Sequence, residues 1–318
     1  MSTRYKFPTT DKKLVDELGK QFEKIIQSAN RGSLETRYRY AHAGARFVAW
    51  VQPTFKMQKL ANLSDKHLVA YAKEMKNRGC SDKYIKNELS ALRYIHSVTP
   101  NTRNRLSDST KMNRAAGLGP TPNQKASQRD KSWTHTEKEK MCYKAIQCGH
   151  PKIASTIQAS YTTGMRLDEA ASLRRNDAEK ALRTGSLHLT NTKGGRPRDV
   201  QLSDRAKEVL SEAIQGISRG SYVFVPENTR VHEFKKDVQN FIYQHRDEIQ
   251  ESDRSSGGGD TSGSSPIKCN LTFHGLRHSY AQNRYEELRD QGYDDKEARE
   301  KLTEELGHGR IEITRVYT

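Results

Sequence analysis

Apolar residues in the first hundred positions fall three or four apart, and that period admits one kind of fold, helices packed on a shared core. Leu14, Leu18, Phe22, Ile25 and Ile26 mark one face of a helix from Asp11 to about Ala29. A second begins at Ser33, with Tyr40, Ala43, Phe47, Trp50 and Val51 on its apolar side and Arg37, Arg39 and Arg46 on a basic one. Ser64-Asp65 caps a third helix through about Lys76, and Gly79 ends it as a residue that tolerates the left-handed backbone. Ser81-Asp82 caps a fourth, with Ile85, Leu89, Leu92 and Ile95 inward and Lys83, Lys86 and Arg93 elsewhere. Residues 1–114 thus read as a four-helix unit without a constellation suited to catalysis.

From Ala115 to Lys131 the chain is rich in Gly, Pro and polar residues and has no apolar period, which reads as an interdomain linker. A length of 318 residues fits two domains. The second, 132–318, mixes periods. Helices are expected over Thr136 to Cys148, Pro151 to Thr163, Asp204 to Gln215, Phe234 to Ile249 and Asp295 to Glu305. Further helices are expected from Thr272 and over Arg310 to Tyr317. Ser186-Leu-His-Leu-Thr-Asn and Arg198-Asp-Val-Gln-Leu alternate apolar and polar residues around Lys193-Gly-Gly-Arg-Pro, which predicts a β-hairpin with Lys193 at its tip. Residues 252–266, centred on a Ser/Gly run, are expected to form a flexible surface loop. The fold class is mainly α with a small β-hairpin or sheet, a helical domain followed by a mixed α+β domain.

Charge narrows the partners. Lys and Arg number 55 against 39 Asp and Glu, a net +16 at pH 7, which favours a polyanion, although scattered charge on a soluble basic protein gives the same count. Basic helical faces could sit on duplex DNA, and Lys125, Arg129 and Lys131 could follow a phosphate backbone if the two domains clamp it. No apolar run has transmembrane length, and Met1 to Pro8 lack the apolar segment of a signal peptide, so a cytoplasmic protein is expected, nucleoid-associated if its source is prokaryotic. Cys80, Cys142, Cys148 and Cys269 show no metal-binding spacing and read as free, half-buried thiols.

Four short patterns carry chemistry. His274 and Arg277, three apart on a helix, can converge on one anion; His274 and His278 have zinc-ligand spacing but lack a third ligand. Arg166 precedes Glu169 by three, either an ordinary surface pair or a carboxylate holding a guanidinium for phosphate. Lys193 on a hairpin tip can protonate a leaving oxygen. Tyr317, with an ordinary pKa of about 10, needs such cations nearby to act as a nucleophile.

Thr163-Gly-Met-Arg166-Leu-Asp-Glu169, His274-Gly-Leu-Arg277-His278 and Leu306-Gly-His308, with Tyr317 nine residues further, resemble the signature boxes of the tyrosine recombinase (phage-type integrase) family. The ordered set covers the chain from about Ser132 to the end, and the helical unit is similar to that family's core-binding domain by architecture alone. The resemblance implies that Arg166 and Arg277 bind the scissile phosphate, with His274 and His308 donating hydrogen bonds to it. Lys193 is then the general acid toward the leaving 5′ oxygen, and Tyr317 forms a 3′-phosphotyrosyl bond. Glu169 supports the site and His278 stands behind it. The resemblance further implies a site-specific DNA integrase of a mobile element, needing no metal, ATP or cofactor. It would act as a homotetramer on paired DNA sites through a Holliday junction, with DNA-bending accessory proteins as possible helpers. Type IB topoisomerase-like relaxation and catalytically inactive site recognition are the alternatives. Two departures stand out. Arg175 occupies a place where the family often has Trp, and one residue follows Tyr317 where many relatives continue into a segment that docks on a neighbouring subunit. Either other contacts serve assembly here or the sequence is truncated, and the helix carrying Tyr317 is expected to be ordered by DNA and neighbouring subunits.

Overall fold

The computed structural model describes residues 12–28, 34–119, 129–190, 197–252, 254 and 267–307. The chain divides into two compact units, Met1–Asn123 and Gln124–Thr318. Lys125, Lys193, His308 and Tyr317 lie outside the described residues, as do the hairpin tip, the Ser/Gly run and the expected last helix; the Arg129 side chain is likewise not described.

The first unit holds α1 (Lys12–Ser28), α2 (Leu34–Phe55), a single 3-10 turn (Leu60–Asn62), α3 (Asp65–Asn77), α4 (Asp82–Val98) and α5 (Ser109–Ala115). Its core draws Leu18 and Phe22 from α1, Phe47 and Val51 from α2, Leu68 from α3 and Ile85, Leu89 and Ile95 from α4. Gly44 makes the tightest approach: a Cβ there would stand 2.2 Å from the Phe22 ring and 2.8 Å from Ile95 Cδ1. After α3, Gly79 adopts φ 80°, and the N–H groups of Gly79 and Cys80 return to the carbonyls of Lys76 and Met75, closing the helix end. The unit has one helix more than the period predicts. The seven residues of α5 bury Met112 alone, too short a run to show a period, and the Asp108 side chain starts the helix by accepting from Lys111 N–H. The stretch read as linker contributes at both ends. Ala116 and Leu118 are buried in this core, Gly119 N–H donates to Asp82 Oδ2 at 2.7 Å, and Arg129–Asp130 form a strand of the second unit.

The second unit runs β1 (Arg129–Asp130), α6 (His135–Gln147), α7 (Pro151–Thr163), α8 (Leu167–Ser172), α9 (Arg175–Thr184), β2 (Ser186–Leu189), β3 (Arg198–Gln201), α10 (Asp204–Ala213), α11 (Val231–Ile249), β4 (Ile267–Lys268), α12 (Phe273–Asp290) and α13 (Asp295–Glu305). β2 and β3 pair antiparallel with Leu189 opposite Arg198, and β1 pairs parallel with β4. α7 is central, packed against α6, α8, α10 and α12. Its Ile157 is fully buried with Met141 of α6, Leu276 of α12 and Leu302 of α13. Helix α9 escaped the apolar period because its buried positions are Ala178 and Ala181, which make no large apolar stripe. Arg175, in the place often held by Trp, begins α9; its Nε contacts Glu179 at 2.8 Å and its backbone N–H donates to the Ser221 carbonyl.

Two readings need correction. Arg254, placed by sequence in a surface loop, is buried: Nε donates to Glu137 Oε1 at 2.6 Å and Nη2 to Glu137 Oε2 at 2.5 Å. It also donates to the carbonyls of Ser132 and Cys269. A low-complexity neighbourhood hid a residue held by partners far away in sequence. Cys148 is exposed at the end of α6, whereas Cys142 is buried, which pushes its thiol up to about 12.

Candidate active site

The site is threaded on two acceptors, the Glu169 carboxylate and the Gly164 carbonyl. Gly164 ends α7 at φ 62°, and a Cβ there would stand 2.4 Å from the Tyr280 ring, so glycine alone lets the chain turn this close to α12. The Gly164 carbonyl accepts from Arg277 Nη1 at 2.7 Å and from Arg198 Nη2 at 3.2 Å. Two residues on, Arg166 precedes α8 and Glu169 reaches back to it. The Arg166 backbone N–H donates to Oε2 at 2.8 Å and Nη1 to Oε1 at 2.7 Å. Arg198 Nη2 completes the carboxylate's shell at 2.7 Å from Oε2. Glu169 is 2% exposed, so this is no surface pair. Burial works against its charge, but the hydrogen bond and charge of Arg198, with the Arg166 N–H, hold it below the usual carboxylate range.

Arg277, 1% exposed on α12, also donates to the Leu306 carbonyl, joining α12 to the turn where the Leu-Gly-His pattern begins. At that turn Gly307 has φ 61°, and a Cβ there would stand 2.8 Å from Arg198 Cδ. Two guanidinium groups therefore bond one carboxylate and a third, Arg277, acts on it through its charge, a local excess of positive charge suited to an anion. Of the three, Arg166 keeps the most solvent exposure, 21% of its side chain.

His274 is exposed on the first turn of α12, its ring 5.3 Å from and nearly perpendicular to that of His278. His278 is buried; burial, helped by the charges of His274 and Lys131, pushes its pKa down to about 3, so it is neutral near pH 7. Among the described residues no three His, Cys, Asp or Glu side chains are grouped to hold a metal ion. Gly275 stands next to His274, and a Cβ on it would meet the Lys131 carbonyl at 2.3 Å. Lys131, of the three linker cations, is thereby placed against the start of α12.

Comparison with known proteins shows where this arrangement belongs. The model of the phage integrase family matches residues 133–318, and that of the phage integrase N-terminal domain matches residues 15–105. The chain belongs to the phage integrase family, the tyrosine recombinases. Solved integrase structures share its fold at low identity. The Tn1549 transposon integrase in complex with circular intermediate DNA matches at a TM-score of 0.55 and 15% identity, over 95% of this chain and 94% of that one. A lambda integrase tetramer bound to a Holliday junction matches at 0.53 and 16%, over 95% and 76%. No curated protein sequence matches. Among the described residues no helix is long and apolar enough to cross a membrane.

In this integrase the six basic residues singled out on the first unit divide into two groups. Arg37, Arg39 and Lys83 are exposed. Arg46 pairs with the buried Glu88 at 2.5 Å, Lys86 donates to the Gly119 carbonyl and Arg93 to the Ser107 carbonyl, so these three also hold their own unit together. The residue that sequence reasoning missed is Arg198. Its one signal was positional: it alternates with the buried Val200 on β3, an inward place where a charge needs a partner.

Proposed function

We propose that this integrase cuts and rejoins DNA at specific sites through a 3′-phosphotyrosyl intermediate. The observation that carries the reading is the convergence of Arg166 and Arg277, through Glu169, Arg198 and the Gly164 carbonyl, beside the helix start that bears His274. A scissile phosphate there is held by the two arginines, with His274 and His308 donating hydrogen bonds. Such donors stabilise the extra negative charge of the pentacoordinate transition state. The Tyr317 phenol gives its proton to solvent and its oxygen attacks phosphorus. The bond from phosphorus to the 5′ oxygen breaks, and Lys193 supplies that oxygen with a proton. A 5′-hydroxyl from the partner strand then attacks the same phosphorus and expels the tyrosine. The phosphotyrosyl bond keeps the energy of the phosphodiester, so no ATP is required, and the arginines, histidines and Lys193 supply the positive charge that a metal ion would otherwise bring.

The partner is duplex DNA carrying paired sites, bound by a homotetramer in the cytoplasm. DNA-bending proteins are candidate accessories. Arg37, Arg39, Lys83, Lys125, Arg129 and Lys131 are proposed phosphate contacts, and Arg46, Lys86 and Arg93 share that task with packing. Binding therefore weakens steeply as salt rises.

The test is covalent capture. Wild-type protein selects a core site from a randomised duplex library, and the site is rebuilt as a nicked suicide duplex. A stable adduct is expected with EDTA present and is abolished in Tyr317→Phe. No adduct from the wild type, or an undiminished one from Tyr317→Phe, rejects the assignment.

A further inference from the structure

We propose that Arg198 is a positioning residue of the cleavage site, setting Arg166 and Arg277 relative to each other; this rests on the strand-cleavage reading above. Arg198 stands on β3 with its side chain 1% exposed, and its fork reaches three acceptors. Nη2 donates to Glu169 Oε2 at 2.7 Å and to the Gly164 carbonyl at 3.2 Å, while Nη1 donates to the Glu305 carbonyl.

Each acceptor leads to another part of the site. The other oxygen of Glu169 holds Arg166 at 2.7 Å. The Gly164 carbonyl also takes Arg277 Nη1 at 2.7 Å. Glu305 precedes Leu306, whose carbonyl takes the second branch of Arg277. Arg198 and Arg277 thus brace the same two pieces of backbone, the end of α7 and the end of α13, and Arg198 alone of the two adds the carboxylate that orients Arg166.

A guanidinium can do this because its donors diverge in one rigid plane; a lysine ammonium has a single point of attachment. Arg198 also supports the charge on Glu169. Without it, the buried carboxylate keeps Arg166 and the more distant charge of Arg277, burial weighs more in favour of its protonation, and a protonated Glu169 grips Arg166 more loosely. Loss of Arg198 should therefore appear as a pH-dependent defect in cleavage, a signature that a purely structural residue would not give.

Adduct formation on the captured suicide duplex is measured at saturating protein from about pH 5.5 to about pH 8.5, on both sides of neutrality. Arg198→Met is expected to slow cleavage about 100-fold near neutrality, the cost of roughly an ångström of misplacement, with DNA binding retained. Its rate should also rise with pH more steeply than that of the wild type, and adding Glu169→Gln should remove the extra slope. Arg198→Lys, which keeps one contact, should be slowed about 10-fold with a shallower slope. Wild-type rates in either variant overturn the proposal, as does a loss of equal factor at every pH. If Arg198→Met fails to fold by circular dichroism, Arg198→Lys decides by the same criteria. No adduct from wild-type protein rejects the function and this proposal together, whereas a wild-type adduct with unaffected variants rejects this proposal alone.

Discussion

Among the described residues, the second unit buries two Arg–Glu pairs that differ in how they are connected. Arg254–Glu137 is closed on itself. Both carboxylate oxygens take the Arg254 fork, the backbone N–H groups of Thr134 and Glu251 fill their remaining positions, and the rest of the guanidinium ends on the carbonyls of Ser132 and Cys269. Arg198–Glu169 is open: its carboxylate also holds Arg166 and its second acceptor also holds Arg277. A closed pair fastens segments together, in this case the start of α6 and the end of α11. An open pair passes one side chain's position to the next, which is how the proposed role of Arg198 would reach the more exposed Arg166.

That contrast is easiest to break with stability measurements. Arg254→Ala leaves Glu137 buried without its cation and should cost about 3 to 5 kcal/mol by urea denaturation. Any protein that remains folded should cleave near the wild-type rate; a cleavage defect larger than the folded fraction explains would show that the closed pair also reaches the site. Glu169→Gln should do the reverse. It keeps one acceptor and the side chain's shape, so stability falls by about 2 kcal/mol, yet adduct formation drops about 100-fold because Arg166 is no longer held by a full charge.

Acid sharpens the comparison. Folded His278 resists protonation down to about pH 3, whereas an unfolded imidazole takes a proton near 6.5. Between those values the unfolded chain binds the additional proton, so stability falls as pH drops through the window, by on the order of 2 kcal/mol at pH 5. Glu137 and Glu169, both held below the ordinary carboxylate range, add losses at still lower pH, as they protonate on unfolding. Replacing His278 with Asn should flatten the melting temperature between about pH 6.5 and 5 while leaving the steeper acid limb. The smallest effect is expected from Lys144→Ala, which removes a half-exposed link to Glu248 and should change stability by under about 0.5 kcal/mol.

Much of this molecule was legible in its sequence, for reasons that also mark where legibility stops. Leu18 and Phe22, or Ile85, Leu89 and Leu92, announce a helix because large apolar groups recur at its period. Leu187 and Val200 announce a hairpin by alternation. Alanine does neither, which is why α9 was invisible, and Met112 alone could not reveal α5. Arg166, Glu169, His274 and Arg277 were legible because each sits in a short ordered pattern. Arg198 and Arg254 were not, since their partners lie far off in sequence: Glu169 and Glu137 are 29 and 117 residues away. A buried charge is recognisable only once the carboxylate that tolerates it is in place.

The Gly164 carbonyl has a consequence for safety. It ends α7, the helix packed against α6, α8, α10 and α12, and both Arg198 and Arg277 are fastened to it. A chain caught half-folded, as it is made or after damage, keeps its positive charge and therefore its adhesion to DNA. It does not keep the paired arginines, because the anchor that gathers them exists only when the core has closed. On the strand-cleavage reading proposed above, such a chain can stick to the genome without nicking it.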